Sequence, residues 1–309
     1  MKKNKKPFSP QPKLTKLTVK EPAELMNFLL LKMGGMSRSS VKSLLAHRQV
    51  MVNDKITTQF NLPLQQNDIV TINSTRGNIE LTHPKLRIIF EDNDLIVVEK
   101  KEGLLSVTTG KEQETTAFQI LKNYVKKSSP LNRIYVVHRL DRETSGILVF
   151  AKNREVQLTL QENWHQIVTK RVYVALVEGK VEKEHERLET WLKEHEKSLK
   201  IRSYNTDNGG QIAVTKYKRV KFNDNFSLLE LELETGRKNQ IRVHLESIGH
   251  PIVGDKKYGS TTLGLGRMAL HAKVLEFYHP VTEEIVHFET PTPREFLKAV
   301  TNVTVKKEK

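Results

Sequence analysis

Residues 134–151 read Ile134-Tyr135-Val136-Val137-His138-Arg139-Leu140-Asp141-Arg142-Glu143-Thr144-Ser145-Gly146-Ile147-Leu148-Val149-Phe150-Ala151. Both ends are short, apolar and rich in β-branched and aromatic residues, so both predict buried strands. The segment between them, His138–Gly146, packs five ionisable side chains into nine residues and finishes on glycine. Loops held at strand ends by a rigid sheet are favoured places for catalytic groups. The same residues also suit a plain turn whose Asp, Thr and Ser side chains bond the backbone.

Working outward, Arg87–Phe90 and Leu95–Val98 flank Asn93-Asp94 and predict a hairpin. Ala117–Lys126 predicts a helix. Val156, Leu160, Trp164 and Ile167 recur at helical spacing. Lys170–Val177 predicts a strand, and Leu229, Leu231 and Leu233 alternate with glutamates in a half-exposed one. Residues 182–210 are polar and charged and predict a surface excursion. From Thr235 the chain turns into a helix whose apolar face is Ile241, His244, Leu245 and Ile248. Arg237 and Lys238 stand at its amino end, where the helix dipole disfavours cations unless an anion is received there.

The amino-terminal part has a different texture. Residues 1–20 carry seven lysines and no acid, with prolines at 7, 10 and 12, and 1–16 predict a flexible basic arm. Order is expected from near Pro22, at the start of a helix that Gly34-Gly35 ends. Ser37 then caps a second helix with Val41, Leu44 and Leu45 as its buried stripe. Arg38, Lys42 and Arg48 fall off that stripe, towards water or a ligand. Short strands at Val50–Val52 and Asp68–Ile72 follow. Residues 75–85 predict a linker, and 298–309 a tail.

Composition narrows the chemistry. There are 51 Lys plus Arg against 36 Asp plus Glu, a net charge of +15, which favours a polyanionic partner, nucleic acid first. Cysteine is absent, which excludes disulfides and thiolate chemistry. No 18-residue apolar run and no secretory signal occur, as expected of a cytoplasmic protein. The histidines have no tight ligand spacing, and Gly264-Leu265-Gly266 lacks the glycine and strand of a dinucleotide site. A glycoside hydrolase needs a second carboxylate facing Asp141, and a metal-dependent nuclease needs a carboxylate cluster. A lone aspartate acting on a nucleic-acid base, held ionised by an arginine, fits best.

Five stretches carry a resemblance: HRLDRETSGILVFAK from His138, KRVYVALVEG from Lys170, TGRKNQIRVHL from Thr235, GHPIVGDKKYG from Gly249 and RMALHA from Arg267. In this order they resemble the RluA-type RNA pseudouridine synthases, over residues 86–297. Residues 17–74, centred on SRSSVKSLLAHRQVMVNDK, resemble the alpha-L RNA-binding motif.

The resemblance implies an α+β fold: a mixed, largely antiparallel sheet with flanking helices and a central cleft, plus the small RNA-binding domain. It implies isomerisation of uridine to pseudouridine with no cofactor and no metal. Asp141 matches the catalytic aspartate, Tyr173 the tyrosine stacked on uracil, and Arg237 the basic residue paired with the aspartate. Arg139 matches the arginine that flips the nucleotide, and Ile241 the apolar residue against the base. Lys238, Gln240, Arg38, Lys42 and Arg48 are the further RNA contacts expected. Ribosomal RNA of the large subunit is the expected substrate and transfer RNA the alternative, with the chain a monomer. A protein of this fold that binds RNA or assists ribosome assembly without catalysis is the competing reading. Lys238-Asn239 stands where family members have Thr-His, and Lys100-Lys101-Glu102-Gly103 where they have Lys-Pro-x-Gly. Both departures border the cleft.

Overall fold

The computed structural model describes residues 14–34, 36–46, 49–73, 81–108, 115–128, 130–196, 198, 200–262 and 265–301. Arg48, most of the basic arm, residue 74 with residues 75–80 of the linker, and the tail beyond Thr301 lie outside them. The chain divides into two compact units. One draws on residues up to Leu81 with Lys122–Arg133, the other on Thr82–Leu121 and Ile134 onwards. Among the described residues no helix is long and apolar enough to cross a membrane.

In the first unit, β1 (Leu14–Thr18), β2 (Ala23–Glu24), α1 (Leu25–Lys32), α2 (Arg38–Ala46), β3 (Val50–Val52), β4 (Lys55–Ile56), β5 (Pro63–Leu64) and β6 (Ile69–Asn73) follow one another. Strands β1, β6, β3 and β4 form one sheet in that order, and β2 pairs with β5. The described residues are already structured at Leu14, ahead of Pro22, because β1 pairs residue by residue with β6 and Leu17 packs on the core. Pro22 precedes a short strand, and the first helix starts three residues later at Leu25. Asn53 and Asp54 both take positive φ, 50° and 63°. That is the turn twist that a two-residue hairpin needs between β3 and β4. Ser37 caps α2 as expected, its Oγ accepting from the Ser40 N–H at 3.2 Å. Val41 and Leu45 are buried with Leu25, Phe28 and Leu29 from α1.

The second unit runs β7 (Leu86–Glu91), β8 (Leu95–Lys100), α3 (Ala117–Ser128, which straddles both units), β9 (Tyr135–Val136), β10 (Ser145–Ala151), α4 (Arg154–Glu162) and α5 (Trp164–Ile167). It continues with β11 (Val168–Glu178), β12 (His185–Glu194), β13 (Ile201–Tyr204), β14 (Gln211–Phe222), β15 (Phe226–Leu233), α6 (Gln240–Ser247), β16 (Leu270–Tyr278), β17 (Ile285–Glu289) and α7 (Arg294–Thr301). Its sheet is ordered β13-β12-β14-β15-β11-β16-β10-β8-β7, with β17 added to β16 and β9 to β10. Among the described strands of this unit β10 and β16 pair in parallel and the other strand pairings are antiparallel, as expected.

Three features depart from the sequence reading. Residues 182–210 are not a surface excursion: β12 and β13 extend the main sheet at one edge. Leu188, Thr190 and Leu192 share one face of β12, with Arg187, Glu189, Trp191 and Lys193 on the other. The helix read through Val156–Ile167 is two, divided at Asn163. The unit also runs past residue 297, because α7 extends to Thr301 and buries Phe296 and Val300.

The sheet centre positions the site. Gly146 of β10 and Tyr173 of β11 both face Ala272 of β16 in register, one from each side. Two strand spacings, roughly 10 Å, therefore separate the exit of the charged loop from the tyrosine.

Candidate active site

The backbone of the loop before β10 is held by several neighbouring groups. Leu140 is buried, and its N–H and C=O both bond the Ser106 hydroxyl, at 3.1 and 2.7 Å. The His138 Nε2 accepts the Val149 N–H at 3.1 Å. The Arg142 carbonyl accepts from Gly103 N–H at 2.9 Å and from the Lys100 ammonium at 3.1 Å. Lys100 is wholly buried; its ammonium also donates to the Leu104 and Lys101 carbonyls, and burial lowers its pKa to about 8. Acids nearby, Glu143 first, oppose that fall.

The loop exit is held as firmly. Gly146 has φ +116°, and a Cβ there would lie 2.1 Å from the Ala272 carbonyl oxygen, so only glycine permits the β10–β16 pairing. Ser145 Oγ receives a 2.6 Å bond from Arg267 Nη2 and lies 2.8 Å from His271 Nδ1. Arg267 also pairs with Glu102 at 2.7 Å, so the unusual Lys101-Glu102 segment has a structural part in bracing the loop. Asp141, its side chain 37% exposed, projects from the loop, as do the exposed Arg139 and Glu143. Among the described residues no hydrogen bond or ion pair engages the Arg139 side chain.

Opposite the loop, Arg242 of α6 extends Nη1 to within 3.3 Å of Asp141 Oδ2. Its Nε and Nη2 form a two-bond fork with the buried Asp255, at 2.7 and 2.8 Å. Asn239 Oδ1 accepts from the same Nη1 at 3.1 Å, and the Tyr258 ring lies beneath at 4.7 Å. Burial opposes the Arg242 charge, but hydrogen bonds and charge from Asp255, with Asp141 behind them, raise its pKa.

This corrects the pairing expected of Arg237. The Arg237 Nε donates to the Ile212 carbonyl at 3.0 Å, and the arginine that reaches Asp141 is five positions further along. The signal was present: Arg242 sits among Gln240, Ile241, Val243, His244 and Leu245, all buried, and a cation so placed needs an acid. Asn239, at a family departure, takes positive φ (57°) at the helix cap and also donates to the Tyr258 hydroxyl at 3.1 Å. Its substitution therefore supports the arginine.

A cavity of about 410 Å³ opens between these elements, within the size range of small-molecule sites. Asp141, Tyr173, Ile241, Arg242, Leu270 and Lys238 are among the residues around it. Asp141 is the one carboxylate in that lining, so a second acid for two-carboxylate chemistry is absent from it. Tyr173 is partly buried; burial raises its phenol pKa, with Arg171 opposing and Asp141 adding, so it stays neutral near pH 7. Lys238 lines the cavity while pairing with Glu194 at 2.8 Å. Gln240 also lines it, but every polar atom of its amide is engaged. Its nitrogen donates to Val214 O and Thr215 Oγ1, and its oxygen accepts from Thr235 Oγ1 and Arg237 N–H, all at 2.8–2.9 Å. It therefore anchors α6 to β14. Arg38 and Lys42 lie exposed on α2 in the other unit, Lys42 Nζ 5.6 Å from the Phe60 ring centre.

One group of metal-ligand types stands away from this cavity, at Asp92, Asp94 and His279. His279 Nδ1 accepts N–H bonds from Val281 and Thr282, so the ring proton sits on Nε2, which donates to Asp92 Oδ2 at 3.0 Å. Asp92 Oδ1 accepts the Asp94 and Leu95 N–H groups at 2.8 and 2.7 Å. The cluster braces the β7–β8 turn.

Comparison with known proteins identifies the family. Residues 94–247 match the family described as RNA pseudouridylate synthase. An uncharacterized RNA pseudouridine synthase of Bacillus subtilis, YhcT, is 33% identical over 83% of this chain and 86% of its own length. Ribosomal large subunit pseudouridine synthase D of Nitrosomonas europaea is 38% identical over 71% of this chain and 66% of its own. Among solved structures, human RNA pseudouridylate synthase domain containing 4 shares the fold, with TM-score 0.57 and 24% identity over 69% of this chain and 91% of that one. The chain is a member of the RNA pseudouridine synthase family, an isomerase that converts uridine in RNA to pseudouridine.

Proposed function

We propose that Asp141 is the carboxylate that acts on the target uridine and that the substrate is large-subunit ribosomal RNA. The observation that carries the first part is the Asp141–Arg242 pair inside a cavity walled by Tyr173 and Ile241. Arg242 holds the carboxylate in place, and Tyr173 and Ile241 clamp the uracil on its two faces while the glycosidic bond is broken and a carbon–carbon bond is made. Arg139, free and exposed at the cavity mouth, fills the gap left by the flipped nucleotide. Unstacking costs a few kcal/mol, and stacking on an aromatic ring offsets about 1–3 kcal/mol of it. Lys238 and Arg237 then meet phosphates at the rim.

The ribosomal substrate is supported by the Nitrosomonas relative, whose name specifies the large subunit. The first unit, as an alpha-L-like domain, adds phosphate contacts through Arg38, Lys42 and Arg48, and the enzyme works as a monomer in the cytoplasm. Mapping pseudouridines in ribosomal and transfer RNA from cells with and without the gene tests the substrate. The account expects a large-subunit position to disappear; a loss confined to transfer RNA overturns that part.

A further inference from the structure

A second cavity, of about 350 Å³, adjoins the first across a shared wall of Arg139, Tyr173, Leu233, Gly236 and Arg237. The account of Asp141 leaves it without a role. Its base is apolar, with Ile147, Ala272, Val274 and Leu275. Trp164 lines one side, its ring 4.8 Å from that of His138 and tilted by 38°.

The polar groups around it have unused capacity of both signs. His138 Nε2 accepts the Val149 N–H, so the neutral ring carries its proton on Nδ1, and among the described residues nothing accepts that proton. Gln161 donates its amide nitrogen to the Val136 carbonyl at 3.0 Å, leaving its oxygen as an acceptor. Arg171 gives Nη2 to the Leu233 and Glu234 carbonyls and keeps further N–H donors. A flat aromatic wall, an apolar base and separate donors and acceptors match the requirements of a nucleobase, which has a π-face and a mixed hydrogen-bonding edge. A phosphate would need only the cations.

We propose that this cavity is a subsite for a second unstacked nucleobase, next to the target nucleotide in the RNA chain. The proposal rests on reading the first cavity as the uridine site. Arg139 and Tyr173 stand between the two bases, so one residue step of the RNA spans the shared wall. Recognition at this subsite selects the sequence beside the target uridine.

The test uses the full-length chain with Trp191→Phe, which leaves Trp164 as the sole tryptophan. It is titrated with a ten-nucleotide oligouridylate and with an abasic backbone of equal length. The expected result is a saturable change in Trp164 emission with oligouridylate and none with the abasic chain. In a Trp164→Leu variant, oligouridylate affinity falls roughly tenfold, the size of one base–aromatic stack, while abasic affinity is unchanged. Equal emission changes with both chains, or no change with oligouridylate, would overturn the subsite, as would unchanged affinity in a folded Trp164→Leu protein. These outcomes are independent of Asp141, whose role is tested by product formation.

Discussion

The guanidinium of Arg242 joins two acids of different standing: Asp255, buried and held by two short bonds, and Asp141, partly exposed and reached at 3.3 Å. The buried pair fixes the arginine, and the remaining nitrogen is presented to the cavity. Replacing Arg242 by a neutral residue leaves Asp255 uncompensated, so the informative change is Arg242→Lys, which keeps the charge and loses the fork. The expected result is a kcat lower by roughly 10- to 100-fold with KM little changed. Arg237→Ala, by contrast, should raise KM and leave kcat within about twofold. Steady-state kinetics on both variants checks the order; a larger kcat loss at Arg237 contradicts it.

Gly146 tests how tightly the loop exit depends on the sheet. In Gly146→Ala the methyl group meets the Ala272 carbonyl at 2.1 Å in a backbone conformation that L-residues avoid. Stability should fall by about 3 kcal/mol or more, lowering Tm by roughly 6–12 °C. Calorimetry measures this directly, and a Tm within 2 °C or so of wild type would refute the packing argument.

Lys100 gives a pH signature. Its folded pKa, about 8, lies below the ordinary 10.5. Between those values the unfolded chain binds the proton more fully than the folded one, so stability rises with pH across that window. The burden is fully present below pH 8 and gone above 10.5. Relative to Lys100→Met, wild type should therefore gain up to about 3 kcal/mol between pH 8 and 10.5. Urea denaturation at the two pH values measures the gap, and a constant gap contradicts a buried, depressed lysine.

The role proposed for the first unit is tested through salt. Arg38→Ala with Lys42→Ala should weaken RNA binding uniformly across sequences. Each lost single-strand phosphate contact should reduce the slope of log K against log salt by about 0.7. An unchanged slope removes these residues from the RNA path.

The two halves of the site were unequally legible in the sequence. Asp141 stood out because charge between two apolar strands is costly unless it serves the loop, whereas Tyr173 was singled out by the resemblance alone. Arg242 was visible as a cation within a buried helix, but helical periodicity says nothing of its partner Asp255, which a turn brings back thirteen residues later. The amino end of α6 drew attention to Arg237 on dipole grounds, yet the Ile212 carbonyl of β14 engages that side chain first. Strands β12 and β14 were obscured for a related reason. Their buried residues include Thr190, Thr215 and Tyr217, polar side chains satisfied by His244, Gln240 and Glu186. Hydropathy alone does not register such pairs.

The central claim is that the carboxylate of Asp141 performs the isomerisation. Cells lacking the gene, supplied with either the wild-type chain or Asp141→Ala, give the most direct measurement: pseudouridine at each position that the wild type restores. The account predicts none at those positions in the variant, with RNA affinity of the purified protein retained. Pseudouridine formed by the Asp141→Ala chain at any of them would contradict it.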